Sequence, residues 1–100
     1  MTPLYLITLL AGPDLEEPVV DWLLRYEARY GFTSTPVHGH SSRLEGLSLA
    51  EQVTGRKRQV RFQMCVDEAE KNLLLDRLKK DFSQSGIRYW VMPVWEEGEV

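Results

Sequence analysis

The sequence predicts an α+β domain of the ferredoxin-like class. The order β-α-β-β-α-β gives a four-stranded antiparallel sheet with two helices on one face. Three observations predict it. Residues 58–66 alternate apolar and polar side chains, as a half-buried strand does. Apolar stripes at helical spacing follow two of the strand-like segments. The 100 residues are the length of one domain, with no linker, internal repeat or low-complexity tract between 1 and 100.

Each element has its own grounds. Leu4 to Leu10 is a short apolar run closed by Gly12-Pro13, the pattern of a strand buried on both faces. Asp14 and Glu17 have capping-box spacing, although Pro18 tolerates only the first turn of a helix. Val19, Leu23, Tyr26 and Tyr30 share one helical face, widened by Val20 and Leu24, and Gly31 suits the helix end. Residues 32–40 are rich in Thr and Val and read as a second strand, which Pro36 confines to an edge or a bulge. Residues 41–57 form a connection of a length that is usually functional or disordered. Within it, Ser48 to Glu51 is a second capping box and Gly55 ends a turn or two of helix.

In the third strand Val60, Phe62, Met64 and Val66 face one way; Gln59, Arg61, Gln63 and Cys65 face the other. Asp67 to Glu70 is a third capping box. It opens a helix whose stripe is Leu74, Leu75, Leu78 and Phe82 and whose end is Gly86. Residues 87–95 form the fourth strand. Right-handed crossovers in each half leave few topologies besides the ferredoxin-like one.

Composition excludes several classes. With 43% hydrophobic and 27% charged residues the chain is globular. A net charge of −3 gives no overall attraction to nucleic acid or to acidic membranes. The single cysteine, Cys65, has no internal disulfide partner, which suits a reducing compartment. The apolar N-terminal run lacks Lys and Arg and is too short to span a bilayer, so neither a signal peptide nor direct membrane insertion is expected. A cytoplasmic protein is the expectation. The charge is sorted, however. Arg56, Lys57, Arg58 and Arg61 lie in a stretch without acids, whereas Glu96, Glu97 and Glu99 follow the fourth strand.

The hydrophobic residues exceed what two helices can cover. The first strand carries Leu4, Leu6 and Leu10 on one side and Tyr5, Ile7 and Leu9 on the other. The fourth carries Ile87, Tyr89, Val91 and Trp95 against Trp90, Met92 and Val94. An apolar second face implies an oligomer; the other solution is a cover from the C-terminal residues or the 41–57 loop.

Three sets of residues are candidates for chemistry. The basic set is Arg56, Arg58 and Arg61 with Gly55, where guanidinium forks and close backbone approach suit an anionic effector. The same charges also serve as a solvated strand edge or pair with a neighbouring subunit's acidic residues. The patch is small and lacks interleaved aromatics beyond Phe62, so nucleic acid is not expected. His38 and His40 lie on one face of an extended strand, as two ligands of a zinc, copper or nickel ion do. A metal needs further ligands, for which Cys65, Glu45 or a neighbouring chain's carboxylate come into question; without them the pair is two exposed histidines. Cys65 is a structural thiol unless Arg61, on the same strand face, activates it. Trp22, Tyr26, Trp90 and Trp95 suit core and interface positions. No catalytic constellation emerges, and an enzyme is not expected.

The element order, the long loop and the run from Ser48 to Phe62 resemble PII-like proteins, and more narrowly a bacterial branch related in fold to the CutA proteins. The resemblance covers essentially the whole chain. Its most specific parts are Glu51-Gln52-Val53 with Gly55-Arg56 and the basic strand, and Tyr89-Trp90-Val91-Met92-Pro93-Val94. The resemblance implies a homotrimer with small effectors in clefts between subunits, and a loop that moves on binding to meet a protein partner. In well-studied PII proteins the effector is often an adenine nucleotide. Here the loop is shorter and the usual nucleotide-binding signature after it is absent. Members of the narrower branch are often encoded near heavy-metal efflux systems, which implies a metal-related regulatory role. The sequence thus points first to a trimeric regulator that binds a small molecule or metal ion and presents its 41–57 loop. A metal chaperone or buffer using His38 and His40 is the alternative, and a small enzyme in an inter-subunit cleft is a third reading.

Overall fold

A computed structural model describes residues 3–26, 31–40, 49, 51 and 56–100. Four strands form one antiparallel sheet: β1 (Leu4–Ala11), β2 (Thr33–His40), β3 (Arg56–Asp67) and β4 (Arg88–Val94), in the spatial order β2-β3-β1-β4. Two helices, α1 (Glu16–Leu24) and α2 (Glu68–Asp81), pack on one face of it. This is the ferredoxin-like order expected from the sequence. Pro36 and Pro93 both lie on edge strands, where a missing backbone donor is tolerated. Among the described residues no helix is long and apolar enough to cross a membrane.

The centre of the fold is the pairing of β1 with β3. Ile7 faces Met64, Leu9 faces Phe62 and Ala11 faces Val60, and all six are buried. Val19, Trp22 and Leu23 of α1 and Leu74 and Leu78 of α2 close over them. The ends of the two helices are joined where Trp22 Nε1 donates to Asp81 Oδ2 at 2.8 Å. The Trp22 ring meets Tyr26 and Phe82 edge-on, with centroids 4.7 and 5.4 Å away. An indole buried in this way needs a partner for its N–H, and Asp81 supplies it.

Helix starts follow local chemistry. Asp67 Oδ1 accepts the Glu70 N–H at 2.8 Å and caps α2 as its spacing predicts. Glu68 and Glu70 in the first turn and Lys79 and Lys80 in the last complement the helix dipole. Asp14 does not cap α1. The chain first makes a 3-10 turn over Pro13–Leu15, closed by the Leu15 N–H to the Gly12 carbonyl at 3.0 Å. The helix proper begins at Glu16 without a side-chain cap. Pro18 thereby falls in its first turn, where no N–H is needed. Leu24 does not widen the apolar face either, since it is 61% exposed. Gly86 lies beyond the end of α2, at a φ of 82° in the turn that enters β4.

The loop expected over 41–57 is shorter than that. Arg56 and Lys57 already belong to β3, where they face His40 and Gly39 across the ladder. Leu49 and Glu51 are helical, in keeping with the capping box at Ser48. Tyr30, Ser48, Gly55, Glu45 and the rest of the loop lie outside the described residues.

The face away from the helices carries Leu4, Leu6, Thr8 and Leu10 of β1. Beside them lie Trp90, Met92 and Val94 of β4 and Gln59, Arg61, Gln63 and Cys65 of β3. Thr8 is fully buried at its centre, and its hydroxyl accepts from Gln63 Nε2 at 3.3 Å. Trp90 and Met92 remain 40% and 47% exposed. Residues 95–100 do not cover them: all six are exposed, Trp95 by 97%. The core packing makes one expectation direct. Phe62→Ala should lower unfolding free energy by about 3–5 kcal/mol, because it opens a cavity under both helices; urea denaturation at one fixed protein concentration measures it.

Candidate functional site

The antiparallel topology brings three chain turns to one end of the sheet. β1 ends there, β3 begins there, and the turn from α2 into β4 arrives there. Between them is a cleft of about 320 Å³, lined among others by Gly12, Asp14, Lys57, Arg58, Ser85 and Gly86. Glu51 closes one side: its Oε2 accepts the Arg58 backbone N–H at 2.8 Å and lies 3.9 Å from Arg58 Nε. The Arg58 side chain is 76% exposed, so this pair is worth little as an ion pair. It leaves donors available to an anion. The cleft thus sets the Arg58 guanidinium and the turns at Gly12 and Gly86 beside the carboxylates of Asp14 and Glu51, with Lys57 at the neighbouring strand position; the guanidinium is the donor suited to phosphate or carboxylate.

The register places each candidate residue. Arg58 lines the cleft and Arg56 lies two positions away on the same side of β3. Arg61 lies on the opposite side, among the residues of the open face, facing Leu10 and Thr35. Its Nε is buried and has no hydrogen-bond partner among the described residues. The basic set is therefore divided between two faces. Lys57, a member of the basic stretch, joins the cleft, as do Gly12, Asp14, Ser85 and Gly86, which the sequence does not mark as anion-binding. Gly12 and Gly86 punctuate element ends, and that position puts them at this end of the sheet.

His38 faces Arg58 and His40 faces Arg56. The two imidazoles share one face of β2, as their spacing predicts, but each has a guanidinium-bearing neighbour across the ladder. A cation held between them is repelled by both arginines. Cys65 is on the other face, seven positions along β3 from Arg58. Among the described residues no group of three or more His, Cys, Asp or Glu side chains is placed to hold a metal ion.

Comparison with known proteins matches this geometry to a family. The model of the family "Protein of unknown function (DUF3240)" matches residues 1–100. The chain belongs to the DUF3240 family. A crystal structure of a DUF3240 family protein from Shewanella baltica superposes with a TM-score of 0.78 at 25% identity, covering 100% of this chain and 99% of that one. A protein from Thermus thermophilus described as a candidate PII-like signaling protein gives 0.68 at 28% identity, covering 95% and 90%. CPII of Thiomonas intermedia, a nitrogen regulatory PII-like protein bound to ADP, AMP and bicarbonate, gives 0.71 at 17% identity, covering 98% and 97%. No curated protein matches the sequence. The DUF3240 chain therefore has the PII-like fold, as its loop and basic strand suggested.

Cys65 of this DUF3240 chain is not an activated thiol. Arg61 shares its strand face, but burial pushes the Cys65 thiol up, and the carboxylates of Glu97 and Glu70 push in the same direction. The thiol therefore holds its proton to a higher pH than an ordinary cysteine. Alkylation by iodoacetamide should have a pH midpoint above that of glutathione, and Glu97→Gln should move the midpoint down. A midpoint below that of glutathione contradicts this environment.

Proposed function

We propose that this DUF3240 chain is a PII-like regulatory protein that binds a small anionic effector in the cleft at the end of its sheet. One observation carries the reading. Lys57 and Arg58 line, together with the turns at Gly12 and Gly86, a single cleft of about 320 Å³, a volume suited to a small molecule. The ligands of the Thiomonas relative, ADP, AMP and bicarbonate, are all anions, which supports the same class here. Binding and signalling, not catalysis, is the role proposed.

The reading includes a homotrimer. Leu4, Leu6, Leu10, Trp90, Met92 and Val94 make the open face of the sheet apolar, and packing three such faces around an axis removes them from water. The resemblance to PII-like proteins supplies the number three. In that assembly the cleft lies near a neighbouring subunit, and the loop beside it is the element that reports occupancy to a protein partner. A bound anion competes with the Glu51 carboxylate for Arg58, and so shifts the population of the arrangement that joins Glu51 to Arg58. A metal-efflux system is a candidate partner through the resemblance alone. Metal binding by His38 and His40 is the weaker reading, because Arg56 and Arg58 face them.

Thermal denaturation separates the two. A ligand at a hundred times its Kd stabilises the native state by about 2.7 kcal/mol, a rise of several degrees. Among inorganic phosphate, bicarbonate, AMP and ADP, at least one should raise Tm. Arg58→Ala should abolish the rise and His38→Ala should leave it. A rise with zinc or copper alone, lost in His38→Ala, contradicts the anion reading and supports the metal one.

A further inference from the structure

A second cavity, of about 250 Å³, lies between the end of α2 and the start of β4. It shares only Ser85 and Gly86 with the cleft at the end of the sheet. Tyr89 pairs with Leu9, so it stands on the helix side of the sheet. It is nevertheless 40% exposed, because α2 packs on β1 and β3 and leaves the edge strand β4 incompletely covered. The cavity occupies the space this leaves, on the side of the sheet opposite Trp90 and Met92.

Its lining has two chemistries. Leu78, Phe82, Ile87 and the Tyr89 ring make an apolar wall, and Lys79 is the only charged residue in the lining. The Lys79 ammonium lies over the Tyr89 ring, 5.7 Å from its centroid. Among the described residues it has no carboxylate partner. Lys79 belongs to the last turn of α2, whose carbonyl end favours a cation there. In the effector cleft Asp14 and Glu51 stand beside Arg58; in this cavity no lining carboxylate competes with an incoming anion.

The remaining wall is a tied-down turn. The Ser85 N–H donates to the Phe82 carbonyl at 3.2 Å, and the Ile87 N–H donates to Ser85 Oγ at 3.2 Å. Gln84 is held at a φ of 60°, a left-handed conformation that costs a residue with a side chain. Such a turn offers a preformed surface, which lowers the cost of binding. Size narrows the ligand. A dry cavity of about 150 Å³ lined by Leu, Ile and Phe accommodates benzene, so a space of about 250 Å³ admits one ring with a short substituent.

We infer that this cavity is a second ligand site, which takes a small aryl carboxylate. The ring packs among Phe82, Ile87 and Tyr89, and the carboxylate meets Lys79. The site goes beyond the effector reading and stands independently of it, since neither Arg58 nor the open face takes part. Because Ser85 and Gly86 line both spaces, a ligand here touches the turn that borders the effector cleft.

Amide NMR titration of the intact chain with phenylacetate tests this. Phenylacetate should give saturable shifts at residues 78–89, with a Kd of about 1 mM or tighter. Lys79→Gln should weaken it about fivefold at low salt. Phenylacetamide, of the same shape without the charge, should bind more weakly and should not distinguish the wild type from Lys79→Gln. Tyr89→Ser should weaken both ligands, with circular dichroism reporting that the variant folds. Arg58→Ala should leave phenylacetate binding unchanged. No saturable shift up to about 10 mM overturns the site, and so does equal binding of the acid and the amide. Shifts centred on Gly12 and Arg58 that Arg58→Ala abolishes overturn it as well, and put the acid in the effector cleft. None of these failures touches the effector reading, which phosphate, bicarbonate and nucleotide titrations test separately.

Discussion

Leu9 and Phe62 face each other at the centre of the sheet, both fully buried, and the register they fix governs the rest of the structure. A strand's side chains alternate faces, so a slip of one residue would exchange every position on β3. With Phe62 under the helices, Arg56 and Arg58 share its side and Arg61 does not. The same register sets His38 and His40 against guanidinium-bearing neighbours. The hydrophobic core thus decides that Arg56 and Arg58 share one side of β3 and that Lys57 and Arg61 take the other.

A second constraint is coverage. Two helices bury one face of four strands, and their own ends are closed by the Trp22–Asp81 hydrogen bond and the rings around it. The opposite face keeps a buried Thr8 at its centre and a half-exposed Trp90 and Met92 along β4. The buried Arg61 Nε, which has no partner among the described residues, lies on that face as well. An isolated chain has to hydrate this surface, whereas an assembly removes it from water. The sheet-end cleft belongs to the polar part of the molecule, where Lys57 and Arg58 meet the glycine turns. Core, open face and cleft are three consequences of one alternating strand.

Much of this was legible in the sequence. The alternation of β3 was unambiguous because Val60, Phe62, Met64 and Val66 occupy consecutive inward positions. The Asp67 cap was legible because a capping box is a local interaction between near neighbours. The Asp14 cap failed for a local reason too: Pro13 and Pro18 favour a 3-10 turn first and a late helix start. The cleft was only half legible. Arg58 stood out by its charge, but Gly12, Ser85 and Gly86 reach it through strand pairings distant in sequence. The His38–Arg58 pairing was equally hidden, since β2 and β3 are separated by the long loop and register across it is not readable from composition.

The central claim is that the open face of the sheet is covered by other copies of the chain. Light scattering coupled to size exclusion measures this directly. The account predicts a particle of three times the 11.6 kDa of one chain, reduced toward a single chain by Trp90→Asp with Met92→Asp. A wild-type particle of 11.6 kDa across the accessible concentration range contradicts it.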